Sequence, residues 1–266
     1  MTLDTPDTPA LLEWKNVSFA IGNKIVLHNL SITIPFGENI AILGPNGSGK
    51  SSFIKAINRE YYPVFQKERT IYKTWGRERW DVFTLRSYFG IVSNDLQYAF
   101  TQTITGREVI LSGFFSSIGL FFHTITPKMH ERTEEICNFL EIHHLMDRPF
   151  NEMSSGEARR FLIGRALVND PMVLILDEPY SSLDLSALHV MRLSLRKIAQ
   201  KTMIVLVTHS LSDIIPEISR IIMIRNGTIF QDGKKEYLLT DMYVSDLFNV
   251  PVSVQKQDQY YYSMGY

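Results

Sequence analysis

The residue types best suited to chemistry are concentrated in one glycine-rich segment. Residues 44–51 fit the pattern G-x-x-x-x-G-K-[ST] at every fixed position and directly follow the apolar run 40–43. Glycines allow successive backbone N–H groups to turn inward on phosphate oxygens, and the N-terminus of a following helix adds partial positive charge. In this pattern Lys50 is expected to reach the β- and γ-phosphates and the Ser51 hydroxyl to bind Mg²⁺. The expected phosphate-binding residues are Gly44, Pro45, Asn46, Gly47, Ser48, Gly49, Lys50, Ser51 and Ser52.

Two carboxylates end a second apolar run. Asp177 and Glu178 follow residues 173–176 directly. Open α/β sheets present ligands at the carboxyl ends of their strands. Asp177 is therefore expected to hold Mg²⁺ through water, and Glu178 to polarise an attacking water molecule. An acidic cap on the loop that leaves the strand is the simpler alternative, but the phosphate-loop pattern favours the chemical role.

The surrounding patterns predict the elements that position these residues. Residues 14–21 and 24–34 are β-rich and flank Gly22-Asn23, which indicates an antiparallel β-layer. The apolar runs 40–43, 173–176 and 204–207 are typical of strands buried on both faces of a parallel sheet. Residues 103–153 lack such runs and predict a helical insertion, with a helix over 131–145 that turns Ile136, Phe139 and Leu140 inward. Asn226-Gly227 predicts a later hairpin. We expect an α/β fold: a P-loop NTPase core with a parallel sheet, an N-terminal antiparallel β-layer and a helical insertion.

Composition excludes several classes of protein. The 266 residues include 27 basic and 28 acidic side chains, a balance that argues against binding nucleic acid or a membrane surface by bulk charge. The basic cluster, which is interrupted by acidic residues, predicts a solvated face, so nucleic acid is not favoured; its members are Lys67, Arg69, Lys73, Arg77 and Arg79. Cys137 is the single cysteine and cannot build a disulfide framework. We expect neither a secretory signal nor a membrane-spanning segment.

Residues 153–160 distinguish among P-loop proteins. Ser154-x-x-Glu157 is a capping-box pattern, which predicts a helix that continues through Arg165. The segment also resembles the ABC ATPase signature L-S-G-G-Q. Ser154 and Gly156 match that signature, whereas Ser155 and Glu157 replace its first glycine and its glutamine. Residues 178–184 resemble the end of Walker B and the D-loop, and His209 resembles the switch histidine. The resemblance covers about residues 12–250.

The resemblance implies the cofactors, the catalytic residues and a dimer. ATP and Mg²⁺ would be bound, with Glu178, His209 and Lys50 as catalytic residues. Two copies, or two homologous domains, would pair head to tail. Each ATP would then lie between one P-loop and the partner's signature residues, which are Ser154, Ser155, Gly156 and Glu157.

Two positions depart from the family pattern. Asn94 stands where the Q-loop glutamine is expected to contribute to the metal site, and Gln97 is a substitute three residues on. The aromatic residue that stacks on adenine is expected near Ile21, where Phe19 and Trp14 are the nearby candidates. The resemblance also divides the chain into a flexible leader (1–10), an ABC ATPase domain (11–250, with a helical subdomain at about 100–160) and a polar tail (251–266) with little to fix its structure.

The sequence leaves three hypotheses for the partner class, of which we favour the first. The first hypothesis is the ATPase subunit of an ABC transporter, bound to separate transmembrane subunits at the cytoplasmic face of the membrane. The second is a stand-alone ABC ATPase in the cytoplasm that acts on a non-membrane target. The third is a low-turnover nucleotide switch, favoured by the signature and Q-loop departures and opposed by the presence of Glu178 and His209. The aromatic segment 112–122 is either a docking surface or helical core, and it resembles the branch of molybdenum-linked and photorepair ATPases.

Overall fold

The computed structural model describes residues 9–64, 70–100, 103–120 and 123–265. Residues 1–8 of the expected leader, Lys67 and Arg69 of the basic cluster, and Phe121 and Phe122 of the aromatic segment lie outside the described residues. The described strands are β1 (Leu12–Ile21), β2 (Lys24–Ile34), β3 (Ile40–Leu43), β4 (Pro63–Val64), β5 (Ile71–Thr74), β6 (Phe89–Val92), β7 (Val173–Asp177), β8 (Met203–Thr208), β9 (Arg220–Arg225), β10 (Thr228–Lys234), β11 (Ser253–Gln257) and β12 (Tyr260–Met264). The described α-helices are α1 (Lys50–Ile57), α2 (Val82–Ser87), α3 (Asn94–Ala99), α4 (Gly106–Ser112), α5 (Pro127–Phe139), α6 (Ser155–Leu167), α7 (Leu185–Ala199), α8 (Lys235–Leu238) and α9 (Asp241–Phe248).

The chain forms two compact units. Unit 1 comprises residues 1–86 and 203–266, and unit 2 comprises residues 87–202. None of the helices in the described part of the chain has both the length and the apolar character that crossing a bilayer requires.

Unit 1 contains both predicted kinds of β-structure. In the antiparallel layer β1 pairs with β2, β4 and β5, and the β1–β2 register closes at Ile21 opposite Lys24. Strand β3 lies between β8 and β9 and is parallel to both, while β10 pairs antiparallel with β9. All four residues of β3 are buried, as expected for a strand covered on both faces. The predicted β-layer, parallel strands and late hairpin are confirmed.

Unit 2 contains the parallel pair β6–β7 and the helices α3 to α7. Helices α4 and α5 pack on α6. Gly164 of α6 permits a close approach, since a Cβ there would lie 3.0 Å from Ile110 and 3.1 Å from Ile136. The predicted helical character of residues 103–153 is confirmed, but the predicted helix 131–145 is misplaced. The observed helix α5 begins after the Thr126 cap, with Pro127 in its first turn, and ends at Phe139, which is exposed rather than inward.

The chain beyond Pro251 is more ordered than the sequence predicted. Strands β11 and β12 form an antiparallel hairpin whose Tyr261 is buried. Hydrogen bonds tie the hairpin and its approach to α9, from Val254 N to Asp241 Oδ1 (2.7 Å) and from Val252 N to Ser245 Oγ (2.9 Å). The sequence expectation of a tail with little to fix it was wrong, because these tertiary contacts leave no local pattern.

Candidate nucleotide site

The glycine-rich loop joins β3 to α1 in a conformation that requires glycine. Gly47 has φ 76° and Gly49 has φ 109°, both in the left-handed region that strains other residues. Gly49 is also the N-cap of α1. Because glycine has no side chain to compete for the first-turn N–H groups, the helix start is suited to an anion.

Two buried polar groups of this loop fit phosphate oxygens. The Lys50 side chain is buried, and its Nζ donates to the carbonyl oxygens of Gly44 (2.9 Å) and Pro45 (3.0 Å). The Ser48 hydroxyl is buried and has no hydrogen-bond partner among the described residues. Leaving a buried donor unsatisfied costs about 1–3 kcal/mol, so an acceptor oxygen placed in the loop would be stabilised. The donor set therefore fits a nucleotide phosphate.

The Asn226-Gly227 turn supports the loop, a role that sequence reasoning missed. Gly227 N donates to Ser48 O (2.8 Å), and His28 N donates to Gly227 O (2.8 Å). Gly227 has φ 73°, and a Cβ there would lie 2.5 Å from Val26 O. The Asn-Gly pair predicted the hairpin but carried no signal for its place against the phosphate loop.

His209 lies next to the same loop within unit 1. Strand β8 is parallel to β3 with Thr208 opposite Leu43, so His209 and Gly44 leave neighbouring strands at the same level. The buried Thr208 donates from Oγ1 to Asp213 Oδ2 (2.6 Å) and accepts from Ser210 N (3.0 Å). These bonds hold the backbone on both sides of His209, whose side chain is exposed.

In unit 2 the two predicted carboxylates stand at the carboxyl end of β7. Asp177 is the last residue of the strand, and Glu178 follows with φ 50°. A non-glycine residue in this region costs on the order of 1–3 kcal/mol, and such strain clusters at functional sites. Arg159 of α6 is an unpredicted neighbour. Burial lowers the pKa of Arg159 from its usual range, and the nearby charges of Tyr98 and Asp177 counteract this.

The Q-loop position runs beside these carboxylates. Strand β6 is parallel to β7 with Val92 opposite Leu176, so Ser93 and Asn94 emerge alongside Asp177 and Glu178. Asn94 is the first residue of α3, and its side chain lies outside the described residues. Gln97 is partly exposed and lies about one turn further along α3. The choice between Asn94 and Gln97 stays a prediction.

The signature segment forms the expected helix start. Ser154 caps α6, with Ser154 N donating to Glu157 Oε2 (2.8 Å) and Glu157 N donating to Ser154 Oγ (3.3 Å). The hydrogen bond from the Ser154 backbone is the main cause that lowers the pKa of Glu157. Ser154 and Ser155 are exposed, whereas Gly156 is buried where a Cβ would lie 2.6 Å from Ala187 Cβ. The capping box is confirmed, and it leaves the first turn of a long helix at the surface of the unit.

The two adenine-stacking candidates are wrong. Trp14 and Phe19 are 2% and 0% exposed. Their rings pack against each other at 5.3 Å, and Trp14 also packs on Phe53 at 5.2 Å. Both side chains belong to the core beneath the β-layer, so neither is accessible to a base.

Comparison with known proteins identifies what the chain resembles. The ABC transporter family matches residues 27–181. An uncharacterized ABC transporter ATP-binding protein of Bacillus subtilis, YlmA, is 30% identical over 247 residues, which cover 92% of this chain and 93% of that protein. An uncharacterized ABC transporter ATP-binding protein of Lactococcus lactis, YmeB, is 28% identical and covers 95% of this chain and 97% of its own length. The ADP conformation of MJ1267, an ATP-binding cassette of an ABC transporter, matches with a TM-score of 0.75 at 23% identity over 90% of this chain and 98% of that one.

Proposed function

The chain belongs to the ABC transporter family as an ATP-binding ATPase, and from that premise we propose how its residues divide the work of ATP binding and hydrolysis. The observation that carries the proposal is the phosphate loop, in which the buried Lys50 ammonium and the buried Ser48 hydroxyl lie next to Gly47 and Gly49, whose φ angles are positive. Residues 44–52 bind the phosphates of ATP, with Lys50 on the β- and γ-phosphates.

The metal and the nucleophile are assigned to the groups at the strand ends. Ser51 and Asp177 would hold Mg²⁺, with Asn94 or Gln97 as a further ligand. When bound, Mg²⁺ neutralises charge that develops on the phosphates. Glu178 orients and polarises the attacking water, and His209 contacts the γ-phosphate from its position beside Gly44.

The exposed start of α6 supports a dimer in which each nucleotide is shared. A helix N-terminus offers N–H groups and a positive dipole end to an anion. Ser154, Ser155, Gly156 and Glu157 therefore contact the γ-phosphate of the ATP held by a second copy or a homologous domain. ATP binding closes this dimer and hydrolysis releases it.

The dimer is proposed to drive a transporter. Relatives that align over nearly their full length carry the name ABC transporter ATP-binding protein, which favours a subunit that couples ATP hydrolysis to separate transmembrane subunits. Such a subunit would bind at the cytoplasmic face of the membrane.

The Glu178→Gln substitution separates binding from hydrolysis. It keeps the shape of the side chain and the strained backbone position but removes the carboxylate. We expect turnover to fall by about 100-fold or more, the usual contribution of a general base, while ATP affinity is retained. The variant should form a dimer that depends on ATP, measured by size-exclusion chromatography with light scattering. Wild-type turnover in this variant would contradict the role of Glu178.

Lys50→Ala is the matched contrast. It should weaken ATP binding itself by roughly tenfold or more, because hydrogen bonds to charged groups are worth about 1.5–3 kcal/mol. Titration calorimetry with ATP measures both variants under one condition. An unchanged ATP affinity in Lys50→Ala would contradict the phosphate-binding role.

A further inference from the structure

The C-terminal residues 241–264 form one connected piece, called here the C-terminal clasp, which comprises α9 and the β11–β12 hairpin. Its parts are joined by hydrogen bonds from Val254 N to Asp241 Oδ1 (2.7 Å), from Val252 N to Ser245 Oγ (2.9 Å) and from Ser245 Oγ to Val252 O (3.2 Å). Tyr261 is the buried anchor of the hairpin, at 5% exposure. The clasp is therefore a defined structural element.

The first contact of the clasp is with the segment that carries His209. Strand β12 packs against the 3-10 helix Leu211–Asp213, which begins two residues after His209. Leu211 is buried, and Asp213 accepts the hydrogen bond from Thr208 described above. The residues on both sides of the histidine are thus tied to a single short helix, and the clasp covers that helix.

The second contact leads to the phosphate loop. Arg225 Nη1 donates to the backbone oxygen of Asp246 in α9 (2.7 Å). Arg225 ends β9 and directly precedes the Asn226-Gly227 turn, whose Gly227 N–H binds Ser48 O. The clasp therefore contacts the 3-10 helix that follows His209 and, through Arg225, the strand end that leads to the turn bonded to the phosphate loop.

We propose that the C-terminal clasp positions His209 for hydrolysis, with Tyr261 as a positioning residue that acts through the 3-10 helix Leu211–Asp213. This inference rests on the proposed catalytic role of His209. A misplacement of about 1 Å can cost up to about 100-fold in rate, so packing remote from the phosphates is sufficient to change turnover. A substitution or a binding event at the clasp would therefore alter the rate of ATP hydrolysis, although the clasp lies outside the nucleotide site.

Tyr261→Ala tests the proposal, and Tyr262→Ala is its matched control. The two residues are neighbours of the same type on β12, but Tyr262 is only partly buried and points to the opposite face of the hairpin. We expect kcat of Tyr261→Ala to fall about tenfold, which is less than the loss of about 100-fold that a full 1 Å misplacement can cause. KM for ATP should be unchanged. Hydrogen exchange should accelerate in residues 208–215 of this variant. Tyr262→Ala should match the wild type in both measurements.

Comparison with His209→Ala separates positioning from general stability. If Tyr261 acts through His209, adding Tyr261→Ala to His209→Ala causes no further loss of kcat. An equal further loss, or parallel changes of kcat and KM, would overturn the proposal. If Tyr261→Ala does not fold, Tyr261→Leu, which retains apolar volume, provides the same comparison.

The catalytic role of His209 and the positioning role of Tyr261 are contradicted by different outcomes. Unchanged turnover in His209→Ala would contradict the proposed catalytic role of His209 itself. Slow turnover in His209→Ala, together with wild-type turnover and wild-type exchange of residues 208–215 in Tyr261→Ala, would overturn the positioning role alone.

Discussion

At the scale of single residues, Gly227 illustrates how a position far from any catalytic motif can shape the phosphate loop. Its φ of 73° and the 2.5 Å that would separate a Cβ from Val26 O both exclude a side chain. Gly227→Ala must therefore displace the turn and, with it, the hydrogen bond to Ser48 O. We expect ATP affinity to fall roughly three- to tenfold, because the displaced turn moves the loop by a fraction of an ångström. Calorimetric titration with ATP measures this.

Gly22→Ala is the control for that substitution. Gly22 also lies in a hairpin turn with positive φ (57°), but a Cβ there would meet no atom within 4 Å. The control should lose about 1–2 kcal/mol of unfolding free energy from backbone strain alone and keep its ATP affinity. Equal affinity losses in both variants would show that strain, rather than support of the loop, causes the effect.

At the scale of elements, the cap at the start of α6 makes the folding stability of the protein depend on pH. The pKa of Glu157 is lowered in the folded state, chiefly by the hydrogen bond from Ser154 N. A carboxyl with a depressed folded pKa contributes stability that is complete above its unfolded pKa of about 4.3 and is lost as pH falls through the folded value. In Glu157→Gln, the free energy of unfolding should fall less steeply with decreasing pH in the acidic range (the acid limb of the stability profile). Near neutral pH the substitution should lower the free energy of unfolding by about 0.5–1 kcal/mol, as a weakened helix cap does. Chemical denaturation between pH 3 and 7 provides the comparison.

Glu152→Gln serves as the reference for α6. Glu152 is exposed and precedes the helix, so its substitution should leave the acid limb and the neutral stability near those of the wild type. A Glu157→Gln profile that superposes on this reference would show that the capping carboxylate makes no net contribution.

Elements with a strong local pattern were the ones that the sequence could predict. A pattern of only a few residues predicts each of three elements. These are the fully apolar strand β3, the Asn-Gly hairpin of β9 and β10, and the Ser154-x-x-Glu157 cap of α6. The β11–β12 hairpin could not be predicted, because its order depends on partners such as Asp241 and on the burial of Tyr261. Trp14 shows the same limit at the site: residue type suggested a stacking aromatic, but only packing against Phe53 shows that the ring is core.

At the scale of the whole molecule, the proposed machinery is divided between the two units. Unit 1 carries the phosphate loop and His209, and unit 2 carries Glu178 and the signature helix. A protein that binds either unit is therefore in a position to affect the rate of ATP hydrolysis. A transporter exploits this, because transmembrane subunits that bind the ATPase subunit couple its nucleotide cycle to their own conformations.

The class of partner that the protein binds therefore distinguishes a transporter subunit from a stand-alone ATPase. We expect affinity capture of Glu178→Gln from its own cells, in mild detergent with ATP, to recover a multi-span membrane protein in stoichiometric amount. The ATP-bound dimer of Glu178→Gln should bind that partner in its closed state, so Lys50→Ala, which binds ATP more weakly, should recover much less of the partner at an ATP concentration that saturates only Glu178→Gln. Recovery of the chain alone, or with partners that lack membrane spans, would instead favour a stand-alone ATPase. Equal recovery by both variants would show that the affinity of the subunit for the partner does not depend on the bound nucleotide.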